Sequence, residues 1–125
     1  MSSSLKIVLS VEKDGVPVAG FPFVRRLVVD ELQEFAYEQA NHGDAVTFSA
    51  VPADQLGEIQ VLVLRSDKLV TLRLDGQSDA GIVVNAGGLV LLVDADVDAG
   101  AGASNAKLNN NSGATATIRG LAGGT

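Results

Sequence analysis

Apolar and polar positions alternate through much of this chain. Leu5, Ile7, Leu9 and Val11 recur with period two, the spacing of a strand with one buried face. Lys13-Asp14-Gly15 supplies a turn, because glycine takes positive φ at no steric cost. Residues 16–29 contain Pro17, Gly20 and Pro22. Proline has no N–H to give a sheet ladder, so this stretch reads as an edge strand or an extended arm running up to Arg25-Arg26 and Leu27-Val28-Val29.

Residues 30–41 support two readings. Val29, Leu32, Phe35, Ala36 and Ala40 have rough helical spacing, with Asp30 and Gln33 as a capping pair. Alternatively, Phe35, Tyr37 and Gln39 pair with Val46, Phe48 and Ala50 across a turn at Asn41-His42-Gly43-Asp44. The hairpin is preferred because the neighbours on both sides are strands. Residues 51–57 form a connection. Ile59 to Leu64 is an apolar, partly β-branched run; Ser66-Asp67 is a short turn; Val70, Leu72 and Leu74 then share one face. This predicts a second hairpin, the clearest in the chain. Strands are also expected at residues 81–84, 89–93, 106–108 and 114–119, separated by turns at Asp75-Gly76, Asn85-Ala86-Gly87-Gly88 and Asn109 to Gly113. Residues 94–105 read as an exposed loop, and Gly120 to Thr125 as a glycine-rich tail that stays mobile unless a partner orders it.

Eight or nine short strands at close intervals define an all-β fold: a single-domain antiparallel β-sandwich, jelly-roll-like, with an extended N-terminal arm. Residues 1–29 are the N-terminal strand and arm. Residues 30–125 are the sandwich with its glycine-rich C-terminal tail, and the two parts make one folded domain.

Composition narrows the function classes. Hydrophobic residues are 46% of the 125 but aromatics only 4%, and the mean hydropathy is +0.27. Such an aliphatic excess suits sheet cores and subunit interfaces better than ligand pockets, which are rich in aromatic rings. A net charge of −6 disfavours nucleic-acid partners. The absence of cysteine excludes disulfides and thiolate chemistry. Met1-Ser2-Ser3-Ser4 is polar, without the apolar region of a signal peptide. The longest apolar run, Leu89 to Val93, is too short to cross a bilayer as a helix. The expectation is therefore a protein made in a cytosol, with no membrane partner.

The candidate chemistry is thin. His42 is the lone histidine and falls in a predicted turn, whereas a catalytic histidine is held between two partners. Asp94, Asp96 and Asp98 alternate as calcium ligands can. A helix-loop-helix calcium loop counted from Asp94, however, would place Ala99 and Asn105 where it needs glycine and glutamate. The plainer reading puts the three aspartates on the wet face of a strand ending. Asp67 and Asp75 flank a strand as a glycosidase carboxylate pair could, but both are common turn residues. The glycines at 87–88 and 120–124 lack the lysine and helix of a phosphate-cradling loop. Asn110-Asn111-Ser112 matches a glycosylation triplet, expected to be silent without a secretory signal. Arg25, Arg26, Arg65, Lys68, Arg73 and Arg119 are scattered and are expected to pair with carboxylates within or between subunits. No catalytic, cofactor-binding or metal-binding residue is assigned, and an enzyme is not expected.

Leu62 to Leu74 with Gly76 to Gly81, then Asn85 to Leu89, then Asn111-Ser112-Gly113-Ala114-Thr115-Ala116, resemble small virion proteins of tailed bacteriophages. In those, a hairpin of the form "rsd…vtlrl" is followed by a glycine turn, a second hairpin and an "n.sG.a.a" final strand. The likeness covers about residues 56–120 and involves structural positions only, so it carries over no functional residue. The resemblance implies a non-catalytic structural protein of a virion, assembled in the host cytoplasm. Such a protein would bind and stabilise the capsid surface as an oligomeric decoration (cement) protein, or serve as a minor head or tail component. Its partners would be copies of itself, most simply as a trimer, and the major capsid protein or another virion protein. The alternative is a β-sandwich carbohydrate-binding or receptor-binding module of a phage tail, for which Tyr37 is the one tyrosine available for stacking on a sugar.

Overall fold

The computed structural model describes residues 2–42, 46–47, 58–74, 81–95, 97–98 and 106–125. Among the described residues there is no helix, and thirteen strands pair antiparallel throughout. They are β1 (Ser3–Leu9), β2 (Glu12–Lys13), β3 (Val16–Pro17), β4 (Phe23–Val29), β5 (Glu31–Gln39), β6 (Val46–Thr47), β7 (Glu58–Ser66), β8 (Val70–Arg73), β9 (Ile82–Val84), β10 (Leu89–Leu92), β11 (Val97–Asp98), β12 (Lys107–Asn109) and β13 (Ala116–Gly124). The all-β expectation is met, with more strands among the described residues than the eight or nine read from the pattern.

Two larger sheets share one core. In the first the order is β10-β7-β13-β5, with β11 also on β7; in the second it is β6-β12-β8-β9. Leu62, Leu64, Phe35, Ile118 and Ala122 of the first sheet cluster with Val70, Leu72, Val84 and Leu108 of the second. Burying each Leu, Ile or Val of this set stabilises the fold by roughly 1.5–3 kcal/mol, so this aliphatic contact is the main force holding the sheets together.

The pairings differ from the predicted hairpins. Most of residues 30–41 form a strand, as preferred over the helix, but β5 pairs with β13, with Phe35 opposite Gly120, and not with β6. Of that expected partner, β6 pairs with β12, and residues 48–50 lie outside the described residues. β7 and β8 do not form a hairpin either: β7 lies between β10 and β13, while β8 lies between β12 and β9. A two-residue hairpin turn needs positive φ, and between Ser66 and Val70 no residue has it. Instead Ser66 Oγ donates to the Lys68 carbonyl at 2.7 Å and accepts from the Lys68 N–H at 3.2 Å, making a corner that carries the chain from one sheet to the other. The strands expected around residues 81–84 and 89–93 divide between the sheets likewise, with β9 on β8 and β10 on β7.

The largest departure concerns the C-terminus. Gly120 to Gly124, expected as a mobile tail, form the second half of β13, flanked by β5 and β7. Glycine and alanine are needed here because backbones approach closely. A Cβ on Gly120 would overlap the Val63 carbonyl, and one on Gly124 would overlap the Glu58 carbonyl. The Phe35 ring lies 3.1 Å from the position that a Gly120 Cβ would take and covers the bare backbone.

Candidate interaction surface

Upstream of this body the chain doubles back on itself. β1 and β4 pair over their full length, from Ser3 opposite Val29 to Leu9 opposite Phe23. The tip carries the small β2–β3 ladder, closed by Asp14 and Gly15 at φ 52° and 80°. These are the two positive-φ positions that a tight hairpin turn demands. The proline-containing stretch is thus an arm in the form of a hairpin, rooted where β4 passes through Asp30 into β5. At the root, Val29 is buried and sits against Gly123, whose missing side chain makes the room.

Directly opposed residues of an antiparallel pair share a face, so the register sorts the arm into two sides. One side holds Leu5, Ile7, Leu9 and Leu27, all half-buried, together with Arg25. The Arg25 guanidinium donates from Nε to Asp94 Oδ2 at 2.6 Å and from Nη2 to Oδ1 at 3.3 Å. The hydrogen bond first, and the Asp94 charge second, raise the Arg25 pKa above its ordinary value. Asp94 reaches the arm from a left-handed conformation, φ 55°, which aspartate tolerates better than most residues. A crevice of ≈ 280 Å³ between Leu27, Val28 and Val29 of the arm and Gln60, Asp94 and Ala95 of the body marks the line of contact.

The other side of the arm faces outward. Val8, Val24 and Val28 are 55%, 52% and 71% exposed, and Lys6 and Arg26 stand opposite each other between them. An isolated two-stranded hairpin is marginally stable in water, and this one shows water a strip of valines. Charge is also divided. Residues 1–29 carry four Lys/Arg against two acids, whereas residues 30–125 carry five against thirteen. The arm is a net cation on a strongly acidic body.

The residues singled out by sequence are scattered over the fold. His42 is exposed, and its backbone does the visible work, its N–H donating to the Asn110 carbonyl at 2.8 Å. Asp94 is engaged by Arg25, while Asp96 and the Asp98 side chain lie outside the described residues, as does Asp75. Asp67 Oδ1 accepts from the Thr117 N–H at 2.7 Å. Among the described residues no three His, Cys, Asp or Glu gather as metal ligands would. Asn110 of the glycosylation triplet is fully buried, its amide nitrogen donating to the Gln39 and Ala114 carbonyls. Tyr37 is partly buried against the core, in an edge-on contact with Phe35 at 6.2 Å between ring centroids, and its hydroxyl donates to Gln39 Oε1 at 3.3 Å. The expectation that the arginines pair with carboxylates holds for Arg25. Arg65 and Arg119 form no ion pair among the described residues and lie directly opposite each other on β7 and β13. Sequence reasoning missed both the outward valine strip and this arginine pair, because each depends on register between strands far apart in the chain.

These features define an all-β protein of two antiparallel sheets around one core, with a cationic hairpin arm as its most distinctive surface. No protein family, curated protein or solved structure matches the chain.

Proposed function

We propose that this chain is a non-catalytic structural protein of a bacteriophage virion, an oligomeric decoration protein that binds and stabilises the capsid surface. The observation that carries the reading is the arm, whose outward strip of Val8, Val24 and Val28 around Lys6 and Arg26 is exposed and has no cover among the described residues. Its occupant is a second copy: a cationic apolar strip fits the acidic body of a neighbour, where β5 forms a sheet edge among the described residues and exposes Glu34 and Glu38. Burial of the valines supplies affinity, and the opposed charges set the register. Three such arms, each docked head-to-tail on the next copy, close a ring as a trimer.

The strand order supports a jelly-roll reading. The pairs β5·β13, β6·β12, β7·β10 and β8·β9 nest inside one another. This is the arrangement of an eight-stranded hairpin wrapped into two sheets, an architecture used by viral capsid domains among others. That last step is analogy at the level of fold.

The test is mass and location. Light scattering at micromolar concentration is expected to give about three times the 12.8 kDa chain mass. The double substitution Val8→Glu with Val24→Glu should reduce it to one chain while the thermal transition of the body persists, because both residues are exposed in the single chain. The wild-type chain should also band with density-gradient-purified phage particles. A wild-type mass of one chain together with absence from such particles would overturn the reading.

A further inference from the structure

Arg65 and Arg119 occupy the two inner strands of the first sheet, in direct register on its outer face. Like charges directly opposed across a ladder destabilise it, and the row offers them no relief. Arg119 has Ala36 as its other neighbour, and Arg65 has Leu89. Among the described residues neither arginine forms an ion pair. Both line an open depression of ≈ 320 Å³ together with Ser66, Asp67, Gly87 and Thr117. One carboxylate oxygen of Asp67 is already taken by the Thr117 N–H at 2.7 Å, so the depression keeps two guanidinium groups against one carboxylate.

We infer that this depression is a binding site for an oxyanion, a carboxylate or phosphate group gripped between Arg65 and Arg119. Each guanidinium is a planar fork of donors with no acceptor of its own, matched to two oxygens at once. Two forks from adjacent strands converge on one bridging anion, which replaces their repulsion with two charge-assisted contacts. The volume exceeds that of a bare phosphate and leaves room for the group that bears it. The exposed Leu89 beside Arg65 offers that group an apolar contact. The site is independent of the arm and of the assembly reading.

The full chain is titrated with inorganic phosphate and, separately, with acetate at constant ionic strength, following the arginine Nε–H signals by NMR and the melting temperature in parallel. Arg65 and Arg119 are expected to shift saturably with at least one anion, at a Kd of about 1 mM. Arg119→Gln and Arg65→Gln should each weaken binding at least ~10-fold, leave the melting temperature without anion unchanged or higher, and abolish its rise with anion. Lys13→Gln, at the exposed tip of the arm, should bind as wild type. Saturation by phosphate alone identifies a phosphoryl ligand, and saturation by acetate alone a carboxylate. Non-saturating shifts of similar size at all arginines, or glutamine variants that bind as wild type, would overturn the proposal, whatever the oligomeric state.

Discussion

Gly120→Ala is expected to remove much of the stability of the fold. β13 is an inner strand, hydrogen-bonded to β5 on one side and β7 on the other, so it cannot swing outward to make space. The added methyl would overlap the carbonyl of Val63, a backbone group held by its own ladder, and would press on the Phe35 ring 3.1 Å away. Relief requires parting β7 from β13, which also opens the core around Leu64 and Ile118. The cost should exceed about 4 kcal/mol, the range reached only by a few mechanisms such as severe overpacking. A domain with a stability of roughly 5–15 kcal/mol then loses much of its margin. Gly113→Ala is the comparison. That glycine has φ 89° and nothing near its Cβ position, so only the backbone penalty of about 1–2 kcal/mol applies. Guanidinium unfolding midpoints of the two variants measure the difference. A Gly120→Ala midpoint at or above that of Gly113→Ala would place the C-terminal segment outside the sheet.

Asn110 carries the second large effect. Its side chain is fully buried in the turn between β12 and β13. The amide nitrogen donates to the Gln39 carbonyl at 2.8 Å and to the Ala114 carbonyl at 2.9 Å. The amide oxygen accepts from the Ser112 N–H at 3.2 Å and from Ser112 Oγ at 2.8 Å. All the strong bonds of the amide are thus made, and they tie the end of β5 to the start of β13. Gln39 adds a bond from Nε2 to the Leu108 carbonyl at 2.9 Å, and Asn41 Oδ1 accepts from the Gly113 N–H at 2.7 Å. Asn110→Ala strands several of these groups, each worth roughly 1–3 kcal/mol when buried and unpaired, for a total near 3 kcal/mol after Ser112 readjusts. Asn110→Asp separates shape from hydrogen-bond sense. It keeps the acceptor for Ser112 but turns an oxygen toward two carbonyl oxygens, which disfavours the charged form and raises the folded-state pKa of the introduced carboxyl above its unfolded value. The folded state then binds more protons than the unfolded state, so its stability relative to wild type should fall as pH rises through that range. The penalty of Asn110→Ala should show no such dependence. Chemical denaturation at pH 4 and pH 7 tests the contrast, and a pH-independent penalty for Asn110→Asp would mean that the amide does not face those carbonyls.

Both predictions concern residues that look dispensable in the linear chain. Gly120 begins a run of small residues resembling a tail, and Asn110 sits in an asparagine-rich stretch resembling a solvated turn. The arginine pair is equally hidden, since Arg65 and Arg119 gain their meaning only when β13 crosses half the chain to lie on β7. By contrast, Pro17 and Pro22 marked an edge strand or an extended arm, and Asp14-Gly15 was recognisable as a turn because positive φ is a local demand.

The period-two alternation settled the class of structure and the approximate place of most strands, because which face a residue turns to the core is a local property of extended backbone. The division into an acidic body and a cationic arm was also written in the residues alone. Which strand lies beside which was decided only in three dimensions. Apolar faces such as those of β7 and β8 are satisfied equally well by pairing in one sheet or by facing each other across two. The choice depends on contacts between residues fifty or more positions apart, on the close backbone approach that glycine permits at 120 and 124, and on where buried amides find their partners.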